Sequence, residues 1–150
     1  MSIYQIAQII ELATGRPPNA AQLNGWGAYE STGGSLQSIS NAFVASTMFA
    51  NKYNGGVTVD PNAPITFHIA QEIIENALGV VPTAAHVDAW VDSGLPAGQV
   101  FKAFALGDQF TATVESQMFI YEQNGSYFIA PFDPASDTGV QIIGTADVTY

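Results

Sequence analysis

The stretch Gly15–Trp26, GRPPNAAQLNGW, returns 64 positions later as Gly79–Trp90, GVVPTAAHVDAW. Gly15 falls on Gly79, Pro18 on Pro82, Ala20 and Ala21 on Ala84 and Ala85, Leu23 on Val87, and Trp26 on Trp90. The only two tryptophans of the chain are therefore equivalent. Further on the offset falls to 61, and Ile39, Ala42, Phe43 and Phe49 meet Val100, Ala103, Phe104 and Phe110. The three-residue change lies in the Gly/Ser-rich stretch after each tryptophan, where a loop is expected to absorb it. Coincident aromatics at a fixed period read as one helical building block used twice. What is duplicated is packing, not polar chemistry, and this points to a scaffold or binding module.

Working outward, Ile3, Ile6, Ile9, Ile10 and Ala13 have helical spacing and Gly15 stops the run. Asn19 can cap a second helix from Ala20 to about Glu30, and Ser35 a third from Leu36 to about Tyr53. The second copy follows the same plan. Thr66 caps a helix to Leu78, Thr83 one through Val91, and a last helix runs from Gly98 to about Glu115. Beyond it, Met118–Glu122 and Tyr127–Phe132 flank Gln123-Asn124-Gly125-Ser126, a strong hairpin signal because a type I′ turn needs positive φ at both central residues. Val140–Ile143 reads as a third strand. The expected fold is mainly α with a small C-terminal β appendage. Two tandem three-helix repeats occupy residues 1–55 and 65–116, joined by a linker over 56–64 and followed by a β tail over 117–150, the repeats sharing one compact domain.

Composition limits the function. Three strong cations, Arg16, Lys52 and Lys102, face 13 carboxylates, for a net charge of −10. Such a chain repels phosphate backbones, so nucleic acid is a poor partner. No apolar run is long enough to span a membrane. The chain has no cysteine, hence neither disulfides nor thiolate metal sites. Met1–Ile10 lacks the basic and apolar regions of a secretory signal.

The motif Gly15-Arg16, Pro18, Ala20-Ala21, Leu23 and Trp26 resembles a bacterial helical domain of unknown function. That domain reads Leu-Gly-Arg-x-Pro-Asp-x-x-Gly-Leu-x-x-Trp and ends Phe-x-x-Ser-x-Glu-Phe. Phe43, Ser46 and Phe49 match the ending, with Met48 in place of Glu, and Val80 replaces the arginine in the second copy. The family occurs in S-layer proteins and repeats-in-toxin exoproteins. Asn124–Ile129 and Val140–Val148 are similar to the C-terminal end of such type I secretion substrates, whose export signal is uncleaved and C-terminal. The resemblance implies an extracellular or cell-surface location.

Candidate chemistry is sparse. His68 and Glu72 lie four apart on a helix, but zinc needs three or four ligands and only His86 remains as another imidazole. Glu11 with Glu30, or Glu72 with Glu75, could form a catalytic carboxylate pair, and surface carboxylates are the simpler reading. Calcium is the expected cofactor if there is one, with Asp60, Asp133 and Asp137 as its loop ligands. No catalytic residue is assigned, because paired indoles and phenylalanines are expected to close the core without a polar pocket. The leading expectation is a non-enzymatic structural or assembly module, S-layer-like or exoprotein-like. It would dock on itself or on a cell-surface glycan, with Tyr121, Tyr127, Phe128 and Phe132 in the contact and the β edge free for strand pairing. A secreted toxin or effector and a cytosolic adaptor are the alternatives.

Overall fold

Burial on every side marks α1 (Ile3–Thr14) as the centre of the molecule: Ile6, Ala7, Gln8, Ile9 and Ile10 are consecutive and all inaccessible or nearly so. A helix apolar around its whole circumference belongs in a core. The computed structural model describes residues 3–131. Around α1 lie α2 (Ala20–Ser31), α3 (Leu36–Val44), α4 (Thr47–Tyr53), α5 (Phe67–Leu78), α7 (Ala97–Ala105) and α8 (Asp108–Gln117). Of these, α1 packs directly on α2, α3, α4, α5, α7 and α8. The remaining helix, α6 (Ala84–Asp92), packs on α5. The chain among its described residues is thus mainly helical, with one antiparallel hairpin of β1 (Met118–Gln123) and β2 (Ser126–Pro131). The predicted third strand, Val140–Ile143, lies outside the described residues.

The helices recur at the sequence offsets. Ile3–Thr14 and Phe67–Leu78 differ by 64 at both ends, Leu36–Val44 and Ala97–Ala105 by 61. Both α1 and α5 end on a left-handed glycine, Gly15 (φ 76°) and Gly79 (φ 75°), whose amides donate to Glu11 O and Glu75 O at 2.8 Å. Trp26 meets Phe43 with ring centroids 5.4 Å apart, and Trp90 meets Phe104 at 5.1 Å. Both indoles are half-buried against one shared core.

Two expectations need correction. The three-residue difference is not taken up by a loop, since residues 32–35 and 93–96 are connections of equal length. It is taken from a helix: α2 has 12 residues and α6 has 9. The extra turn of α2 carries Tyr29, which packs edge-on to Trp26 at 5.6 Å. Gly34 must lack a side chain for this, because a Cβ there would stand 2.2 Å from the Tyr29 ring.

Each predicted third helix is also two helices, so each half has four. Ser46 breaks the first. Its backbone is extended (φ −77°, ψ 157°), its Oγ donates to Phe43 O at 2.6 Å and accepts from Phe49 N at 3.2 Å. One hydroxyl thus closes α3 and caps α4. Gly107 (φ −66°, ψ 154°) makes the same break between α7 and α8 without a side-chain cap. The breaks re-aim the chain so that Phe49 and Phe110 both enter the core.

One polar side chain crosses between the halves inside the core. Gln8 is 2% exposed, and its Nε2 donates to Ala105 O and to Thr111 Oγ1, both at 2.8 Å. Ala105 O belongs to the end of α7, where carbonyls lack partners within the helix.

Two results are expected from denaturant unfolding. Ser46→Ala should lose about 1 kcal/mol, because it removes the hydroxyl that caps α4. Gln8→Leu should cost about 2 kcal/mol, because it strands the buried Ala105 carbonyl.

Candidate functional site

The hairpin is built by its turn. Asn124 (φ 55°) and Gly125 (φ 80°) take the two positive φ values of a type I′ turn, and this sets the register Ile120↔Ile129, Tyr121↔Phe128 and Glu122↔Tyr127. Alternation then sorts the side chains. Met118, Ile120 and Ile129 are buried, and Tyr127 packs on the core beside them. Phe119, Tyr121 and Phe128 share the opposite face. There Phe119 and Tyr121 stack at 5.8 Å and 22°, Tyr121 and Phe128 at 5.5 Å and 19°. Phe119 is 46% exposed.

The hairpin is fastened at both edges. In this register the N–H and C=O of Ile120 and Tyr127 point away from the partner strand. Ile120 N donates to Tyr4 Oη at 2.8 Å. The Asn24 side-chain amide plays the part of a neighbouring strand: Oδ1 accepts from Tyr127 N at 2.8 Å and Nδ2 donates to Tyr127 O at 3.0 Å. Gly27 leaves room for the Tyr127 ring, which an added Cβ would approach to 3.3 Å. So Tyr127 is an internal anchor, whereas Tyr121 and Phe128 lie on the outward face with Phe119, which sequence reasoning missed for want of the register. Phe132 lies outside the described residues.

The other candidates are dispersed. Asp60 closes a turn, with Oδ1 accepting from Asn62 N at 2.9 Å and its carbonyl from Ala63 N at 3.1 Å. Asp133 and Asp137 lie outside the described residues. His68 and His86 are exposed on α5 and α6. Among the described residues no three His, Cys, Asp or Glu side chains gather as a metal site.

Polar groups gather at the margin of the core, where Lys52, Asn76, Thr113 and Gln117 are exposed. A cavity of about 240 Å³ opens where α1, α4, α5 and α8 converge. Glu11, Lys52, Asn76, Thr113 and Gln117 supply its polar wall, Leu12 and Phe110 its apolar one. Glu11 Oε2 is shielded from water and has no hydrogen-bond partner. Burial raises the Glu11 carboxyl above its ordinary value of 4.5. Lys52 lies across the end of α1, so close that a Cβ on Gly15 would stand 2.9 Å from its Nζ. Its charge there suits the negative end of the helix. Beside them Tyr53 donates to Leu12 O at 2.5 Å, and burial, with the Glu72 charge second, pushes its hydroxyl well above the usual phenol range. Glu11 and Lys52 stand 41 positions apart in the chain, so only tertiary packing joins them.

No family model, no curated protein and no solved structure matches this chain. Among the described residues no helix is long and apolar enough to cross a membrane.

The raised Glu11 value has a signed consequence. The folded state keeps a proton that the unfolded chain releases above about pH 4.5, so stability declines as pH rises through that window. Urea unfolding followed from about pH 4 to about pH 8 should show this decline in the natural protein. Glu11→Gln should flatten it and be the more stable protein at neutral pH.

Proposed function

We propose that the chain is a non-enzymatic structural module of an extracellular or cell-surface assembly, S-layer-like or exoprotein-like, in which copies meet through the outward face of the hairpin. The observation that carries the reading is the Phe119–Tyr121–Phe128 stack, turned away from the core on a sheet fastened to the helical body. Stacked aromatic rings offer large contact area at little entropic cost, the composition favoured at the centre of protein interfaces. With Ile120 and Tyr127 already bonded at the two edges, the contact is through the face rather than by strand pairing.

The two corresponding halves, each taken as a copy of one unit, supply the rigid body behind that face. The acidic, cysteine-free composition and the resemblance to type I secretion substrates support placement outside the cell. A second copy is the partner favoured here, since a surface module must tile.

Light scattering of the intact chain over a concentration series is the test. Concentration-dependent self-association is expected, and Phe119→Ser with Phe128→Ser should weaken it about tenfold or more. Val81→Ser, at an exposed apolar residue far from the hairpin in sequence, should leave it unchanged. A monomer at every concentration, or association indifferent to the double variant, overturns the reading. The same series with and without calcium tests the Asp60, Asp133 and Asp137 expectation.

A further inference from the structure

A second feature stands apart from the aromatic face and does not depend on it. The cavity between α1, α4, α5 and α8 holds two opposite charges that do not satisfy each other: Glu11 Oε2 is without any partner, while the Lys52 ammonium lies over the Tyr53 ring, 5.5 Å from its centroid. We propose that this cavity binds a small zwitterion, a free α-amino acid, with its ammonium on Glu11 and its carboxylate on Lys52.

The charges select the class. A simple cation would meet Glu11 but be repelled by Lys52, and a simple anion would meet the reverse. A neutral sugar could donate to Glu11 but would bring no charge to either Glu11 or the exposed Lys52. Only a molecule carrying both signs answers both walls, and a buried acceptor without a donor is costly enough to make that answer favourable. Oε2 is closed off from water in the free protein, so in this proposal the ligand ammonium is met as the Glu11 carboxyl turns about its soft terminal torsion. Asn76 Nδ2 and Thr113 Oγ1 already donate to Glu72 O and Gln109 O, so these two side chains offer mainly acceptors, and Gln117 adds a further amide. Leu12 and Phe110 form an apolar wall for an aliphatic side chain. A space of about 240 Å³ holds about eight water-sized groups, the size of a mid-sized amino acid. The position of the cavity reinforces the assignment. Leu12 and Asn76 are equivalent under the 64-residue offset, and Lys52 and Thr113 under the 61-residue offset, so both halves contribute and neither has the site alone.

Calorimetric titration of the intact chain tests it with L-leucine, L-glutamine, isoamylamine, isocaproate and glucose as probes. At least one of the two amino acids is expected to bind, each leucine analogue lacking one charge to bind about tenfold more weakly than leucine, and glucose not to bind. Glu11→Gln should weaken the amino acid and isoamylamine while sparing isocaproate. Lys52→Gln should weaken the amino acid and isocaproate while sparing isoamylamine. Thermal unfolding of both variants confirms that they fold. Binding by neither amino acid, glucose binding as well as they do, or equal losses for every probe in both variants overturns the proposal. None of these outcomes bears on self-association, which light scattering reads separately.

Discussion

The donation from Gln8 to the last carbonyl of α7 is the contact on which the arrangement turns. A buried amide is tolerable only where its hydrogen bonds are made, so α1 is fixed in both rotation and translation relative to α7 and α8. Apolar contact alone would not do this, because isoleucine faces slide. With α1 fixed in this way, its ring of Ile6, Ile9 and Ile10 becomes the common wall of both halves. Similar side-chain donations finish other helix ends: Tyr53 on Leu12 O and Gln109 on Leu78 O. Helix ends need partners from somewhere, and here they draw them from the neighbours they pack against.

The hairpin follows the same economy. Two antiparallel strands alone are marginal in water. Asn24, Tyr4 and the Tyr127 ring make them part of the body. That leaves three aromatic rings with no structural duty toward the core, and their exposure gives the hairpin its functional reading. The cavity beside α1 is the opposite case. It is a gap in packing at the joint between the halves, with exposed polar groups at its mouth and Leu12 and Phe110 behind them.

Much of this was legible in the sequence where a residue type has a single backbone use. Asn124-Gly125 specified the turn, Gly15 and Gly79 the helix stops, and Asn19, Ser35 and Thr83 the caps. Trp26 and Trp90, aligned in the sequence, each meet a phenyl ring, Phe43 and Phe104. What was not legible depended on competition or distance. Ser46 looks like any mid-helix serine until its hydroxyl is seen to prefer a neighbouring carbonyl and amide over solvent. Gly107 weakens any helix interior, but nothing local announces that the backbone turns extended there. The shortening of α6 was hidden because an offset marks where residues are missing and not which element loses them. Gln8 and Glu11 sit among isoleucines with nothing local to distinguish a buried bridge from a cavity wall.

The contacts that hold α1 and α2 reach far along the chain: Gln8 to Thr111 spans 103 positions, Asn24 to Tyr127 also 103, and Tyr4 to Ile120 spans 116. Within the described residues α1 therefore leaves the ribosome well before α8 and the hairpin that bond to it. Once α2, α3 and α4 have formed, part of the isoleucine surface of α1 is covered, but the rest waits for α5, α7 and α8, so native order begins early and is completed late.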